Sequence, residues 1–137
     1  MIMGKVLAID YGTKDIGLAL SDEEKKIALP FLTISPKPNV EKNLDKVFED
    51  VGKLVKTESI EMVVMGMPLT SSGSPTKLGD KVFEFAKNLE AQIGVPVDVM
   101  DERMSSKLAA RLPHKTARNI HELSAQVILQ DYLDSAL

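Results

Sequence analysis

The sequence predicts an α/β protein, a mixed five-stranded sheet flanked by helices in the order βββαβαβαα. Three observations carry that prediction. Short apolar runs bounded by turn residues read as strands at Val6–Asp10, Ile16–Ser21, Ile27–Ile34, Ile60–Gly66 and Val95–Met100. Between and after the later strands, apolar residues return at helical spacing. The first three strands follow one another through short turns, whereas the fourth and fifth each follow a helix, which demands a crossover to a parallel neighbour.

The first run, Val6-Leu-Ala-Ile-Asp10, is apolar up to its closing acid. Tyr11-Gly-Thr-Lys14 reads as a turn, with Gly12 expected to supply a positive φ. The second run completes a hairpin. Asp22 to Lys26 is a charged turn, and Pro30 in the third run marks that strand as a sheet edge. Ser35-Pro-Lys-Pro-Asn39 breaks the pattern, and Asn39 is expected to cap a helix carrying Val40, Leu44, Val47, Val51, Leu54 and Val55 on its apolar side. After the fourth strand, Met67 to Pro75 reads as a loop. A helix follows through Leu78, Val82, Phe85, Ala86 and Leu89, ending near Gly94. Asp101-Glu-Arg103 follows the fifth strand. Ser105 to Leu112 has helical spacing until Pro113, and Asn119 caps a final helix with Leu123, Val127, Ile128, Leu129 and Leu133.

The 137 residues are expected to form one domain, 1–137, and the 44% apolar content is enough for a core. A formal net charge of −3 argues against a protein that coats nucleic acid indiscriminately, which would show a basic footprint. The absence of cysteine excludes disulfides and thiolate metal sites and points to a reducing cytoplasm. No leader pattern and no apolar run of membrane-spanning length is evident, so no membrane role is expected.

The chemistry lies in the acids. Asp10 stands where a buried strand ends, and Asp101 with Glu102 stands at the end of another. The carboxyl ends of strands are where α/β sheets bind ligands. If the two strands run side by side, their carboxylates meet, and a hard divalent cation, Mg²⁺ or Mn²⁺, relieves their repulsion. Such an ion activates water against a phosphodiester. The competing reading is structural, because an acid after a strand also serves as a turn residue or a helix cap, and Asp101 suits the latter. On geometry alone the two readings stay level.

Four segments together decide further. Asp10-Tyr-Gly-Thr-Lys-Asp-Ile-Gly17, Gly66-Met-Pro-Leu69 with Gly73-Ser74, Asp101-Glu-Arg103, and Ala125-Gln-Val-Ile-Leu-Gln-Asp-Tyr-Leu133 resemble the YqgF family, the RuvX-like Holliday junction resolvases. The resemblance spans nearly the whole chain in order and spacing. It implies a ribonuclease H-like fold, with which the predicted order is compatible. It also implies a metal-dependent nuclease acting on the 5′ end of precursor 16S ribosomal RNA within the small-subunit precursor, with resolution of branched DNA as an alternative. Family metal positions carry over to Asp10, Asp101 and Glu102. One departure stands out: where the family has an Asp at the start of the last helix, this chain has His121. A neutral imidazole ligates Mn²⁺ better than Mg²⁺ and adds no negative charge. Glu122 next to it fits a capping box with Asn119 better than a ligand role. The replaced acid motivates a second reading, a noncatalytic RNA-binding ribosome-assembly factor. A third, an actin-like ATPase sharing the first motif, conflicts with the length, since that family resembles two such lobes.

Between Arg103 and His121 there is no acid, but there are Arg103, Lys107, Arg111, Lys115 and Arg118. The first three recur every fourth residue, one helical face, directly after the proposed metal site. A phosphate backbone crossing the acids would continue over this stripe. Lys14, in the turn after Asp10, is a lesser phosphate contact. Aromatics are 4% with no tryptophan, so recognition by backbone and shape is expected over stacking on bases.

Overall fold

The computed structural model describes residues 4–68, 76–102 and 119–135. Five strands, β1 Lys5–Asp10, β2 Ile16–Ser21, β3 Ala28–Ile34, β4 Ile60–Pro68 and β5 Val97–Glu102, form one sheet in the order β3-β2-β1-β4-β5. β1, β2 and β3 pair antiparallel, and β1, β4 and β5 pair parallel. The mixed sheet is therefore the one the sequence predicts, with β1 at its centre. β3 is an edge, as Pro30 requires. The β2–β3 register shifts there, with Leu18 opposite Leu32 and Ala19 opposite Pro30, so the proline sits at a bulge.

Three α-helices are described: α1 Leu44–Thr57, α2 Lys77–Ile93 and α3 Ile120–Ser135. α1 starts later than the periodicity predicts. Asn39 Oδ1 does accept a backbone bond, from Lys42 N at 2.9 Å, but this lies within a single 3₁₀ turn, Glu41–Asn43, whose N-cap is Val40 and which leads into α1. Val40, outside any regular helix, is fully buried. α2 is capped by Thr76, whose side chain accepts from Gly79 N at 2.9 Å. It ends on Gly94 in the left-handed region at φ 74°, as the sequence predicts. β4 runs two residues further than expected, taking in Met67 and Pro68. β5 is displaced towards its C-terminus, so Asp101 and Glu102 lie inside the strand and not after it. Pro96 explains the later start: its carbonyl accepts from Val63 N at 3.0 Å, and pairing begins only beyond it.

The sheet separates two apolar layers, as strand alternation requires. On one face Leu7, Ile9, Ile16, Leu18, Val63 and Met65 pack with α1 and α2 through Val47, Val51, Val82, Phe85 and Leu89. On the other, Val6, Ala8, Ala19, Ala28 and Val64 receive α3 through Ala125, Ile128, Leu129 and Leu133. The small side chains on this second face let α3 lie close, and Ser124 to Gln130 are all buried. Two glutamines tie α3 to the edge strand. Gln130 Oε1 accepts from Ala28 N and its Nε2 donates to Lys26 O, while Gln126 Nε2 donates to Ala28 O, all at 3.0 Å. These bonds satisfy backbone groups at and just before the start of β3, which as an edge has no further strand to pair with. Among the described residues, no helix is long and apolar enough to cross a membrane.

Candidate active site

The site is built outward from the end of β1. Strand alternation places Asp10 on the α3 face with Val6 and Ala8. The next residue, Tyr11, is buried on the opposite side. Its ring lies 5.0 Å from that of Phe85, which in turn lies 5.2 Å from Phe48. This aromatic anchor fixes where the strand ends, and with it the position of the carboxylate. The turn that follows is tight. A Cβ on Gly12 would stand 2.4 Å from the Asp15 carbonyl oxygen, so glycine is needed there for close approach. Gly12 does not take the positive φ expected of it; among the described glycines only Gly94 does.

Directly across the hairpin from Asp10 is Gly17. A Cβ at Gly17 would lie 2.0 Å from the carbonyl oxygen of His121 and 3.0 Å from Glu122 N. The first turn of α3 therefore rests on bare backbone beside Asp10, and the spacing Asp10-x-Gly12-x-x-x-x-Gly17 has a steric reason at both glycines. The Asn119 half of the expected capping box forms, with Asn119 Oδ1 accepting from Glu122 N at 2.9 Å. Glu122 itself is turned inward and buried, and Thr33 Oγ1 donates to its Oε2 at 3.0 Å. Its carboxylate thus serves the contact between α3 and β3.

Asp10 and His121 are brought together. Burial pushes the Asp10 carboxyl up from 3.8 to about 6, and the neighbouring His121 imidazole pulls partly the other way. A carboxyl partly withdrawn from water lowers its free energy by accepting either a proton or a cation. The second neighbour of His121 is a residue the sequence reading did not single out: Asp15 Oδ2 lies 3.3 Å from His121 Nε2. The signal for it was present, since Asp15 stands two residues before Gly17 and so on the same side of the hairpin. Without the seat of α3 on Gly17, however, nothing linked position 15 to position 121.

Asp101 shares the C-terminal end of the sheet but not the face. Val97 and Val99 pack towards α1 and α2, Met100 packs towards α3, and Asp101 opposite Met67 continues the Val97–Val99 set. It is exposed. The Glu102 side chain lies outside the described part of the structure. Among the described residues no three His, Asp or Glu side chains gather closely enough to hold an ion. Lys14 is exposed in the turn beside the site. Arg103, Lys107, Arg111, Lys115 and Arg118 lie outside the described residues, as do positions 69–75.

Comparison with known proteins gives a consistent result. A family model described as RuvX, Holliday junction resolvase, matches residues 4–135. A Protochlamydia amoebophila protein named "Putative pre-16S rRNA nuclease" is 36% identical over 96% of this chain and 93% of its own length. A protein of the same name from Caldanaerobacter subterraneus is also 36% identical, over 96% of both chains. Among solved structures, Thermus thermophilus RuvC superposes with a TM-score of 0.70 at 16% identity, covering 96% of this chain and 95% of that one. The same protein in complex with a Holliday junction substrate gives 0.68, also at 16% identity, over 97% and 95%. At that identity the likeness concerns the fold, which is the ribonuclease H-like arrangement expected from the sequence.

Proposed function

The chain belongs to the RuvX family of Holliday junction resolvases, and from that membership we propose that it is a metal-dependent nuclease cleaving phosphodiester bonds of precursor 16S ribosomal RNA in the cytoplasm. The observation that carries the reading is the Asp10 carboxyl, partly buried at the end of the central strand beside His121 and raised to about 6. Desolvating an acid without pairing it costs free energy that folding does not recover. A site that receives a cation explains why such an acid is kept. The donor chemistry fits: one carboxylate oxygen and one imidazole nitrogen suit Mn²⁺ better than Mg²⁺. Asp10 and His121 would hold the ion; the family resemblance adds Asp101 and Glu102 at the end of β5, which β4 separates from β1. When bound, the ion supplies activation of water and neutralises charge on the phosphate.

The remaining work falls to the chain itself. Asp10 keeps its orientation because Tyr11 is clamped by Phe85 on the other side of the sheet. Lys14, Arg103, Lys107, Arg111, Lys115 and Arg118 would hold the phosphate backbone on either side of the cut. Residues 1–137 act as one domain in this reading. The test is cleavage of a labelled RNA carrying the 5′ precursor extension, alongside a four-way DNA junction, with Mn²⁺ or Mg²⁺. Asp10→Asn should abolish cation-dependent cleavage with the fold intact, and full activity in that variant removes the mechanism. Cleavage of the junction in place of the RNA would reassign the substrate.

A second reading rests on His121, where the family resemblance places an acid. With fewer carboxylates at the site, the chain would bind structured precursor RNA as an assembly factor without cutting it. RNA binding with no cleavage by the wild type under either cation favours this reading.

A further inference from the structure

The proposed nuclease site contains an acid to which the family resemblance assigns no role, Asp15. We propose that Asp15 is a positioning residue that holds His121 through Nε2 and so presents the ring's other nitrogen, Nδ1, beside Asp10. The proposal rests on the reading of Asp10 and His121 as cation ligands, but its geometry is independent of any ion.

Three contacts support it. Asp15 Oδ2 lies 3.3 Å from His121 Nε2, with the two side chains 33% and 36% exposed, accessible but partly shielded. The other carboxylate oxygen, Oδ1, accepts from Ser35 Oγ, so the carboxylate is anchored before it meets the ring. That anchor follows from the hairpin register: Ile16 pairs with Ile34, which brings the residues just before and just after them side by side. Finally, Gly17 seats the His121 backbone at van der Waals contact. Asp15 directly precedes β2, two residues before Gly17, and both meet His121. One fixes the backbone of His121 and the other its ring.

The chemical consequence concerns the tautomer. A neutral imidazole carries one proton, and an acceptor at one nitrogen draws that proton there, leaving the other nitrogen as a lone-pair donor. A carboxylate behind a ligating histidine fixes ring orientation and raises its basicity, and loss of such a partner typically weakens metal binding by about 10- to 100-fold. Asp15 also supplies next to position 121 the negative charge that the histidine there lacks.

The experiment is nitrogen-15 NMR of the full chain without metal at pH 8, above the ordinary imidazole range, with His114→Gln used to assign His121. The expected result is a single His121 tautomer protonated at Nε2. Asp15→Ala should convert it to a mixture and weaken Mn²⁺ binding by about tenfold in calorimetry. Asp15→Asn keeps an acceptor, so it should preserve the tautomer while still weakening the metal. Ser35→Ala, a milder change, should give a partial shift if Asp15→Ala fails to fold. A His121 protonated at Nδ1 in the wild type, or a tautomer unmoved by Asp15→Ala, overturns the proposal. If Asp10→Asn abolishes cleavage while Asp15→Ala moves neither signal, the nuclease reading stands and the positioning role falls. If the tautomer shifts as expected but no cation binds and no RNA is cut, the positioning role stands and the nuclease reading falls.

Discussion

At the scale of the residue, Asp10 carries a cost that can be measured without any substrate. An unfolded Asp releases its proton near 3.8, whereas in the fold burial holds the carboxyl to about 6. Between those values the native state binds more protons than the unfolded one, so stability falls as pH rises through the window. About two pH units at 1.36 kcal/mol each gives a deficit of about 3 kcal/mol by pH 8. Asn has the same shape and no charge to desolvate. Asp10→Asn should therefore melt several degrees above the wild type at pH 8 in the presence of EDTA, and the difference should vanish towards pH 4. Equal melting temperatures across that range would mean that Asp10 is well solvated and that its burial has no functional meaning. Asp10 was legible in the sequence because a polar residue ending an apolar strand breaks a local pattern. Asp15 was not, because its partner lies more than a hundred residues away and only the approach of α3 to Gly17 brings them together.

At the scale of the element, α3 decides whether the site exists. Its first turn sits on Gly17, its middle on Ala8, Ala19 and Ala28, and its glutamines on β3. A methyl group at Gly17 has no room, since its Cβ would stand 2.0 Å from a backbone oxygen that cannot rotate away. Gly17→Ala should lower stability by about 3 kcal/mol, the upper end of overpacking costs, read as a reduced urea midpoint. It should also abolish cleavage by lifting His121 away from Asp10. A variant that keeps both stability and activity would show that the close seat of α3 is dispensable. Element types were legible because alternation and helical spacing reflect burial on these two faces. Boundaries were less so. The apolar Val95 reads as strand although pairing begins only after Pro96. Val40 reads as helix although it packs in the core from a turn. The displacement of β5 matters most, because it puts Asp101 inside the strand in the Val97–Val99 set, away from the face of Asp10, which spacing alone did not reveal.

At the scale of the whole molecule, the question is how an acidic protein holds a polyanion. Acids number 20 against 17 lysines and arginines, so the average field repels RNA. The distribution is uneven, however. Arg103, Lys107, Arg111, Lys115 and Arg118 occupy a stretch with no acid at all, immediately following the end of β5. If these side chains carry the backbone contacts, binding must depend on salt through them. Each phosphate neutralised on a single strand contributes about −0.7 to the slope of log affinity against log salt. Replacing Arg103, Lys107 and Arg111 together by Ala, in the Asp10→Asn background so that the RNA stays whole, should make that slope shallower by about 2. At 0.1 M salt the same change weakens binding by about a hundredfold. Fluorescence anisotropy of a labelled precursor RNA across 50 to 200 mM KCl reads both quantities. A slope unchanged by the triple substitution would place the phosphate contacts elsewhere, and the strand could then no longer be taken to run from the acids at the ends of β1 and β5 along this stretch.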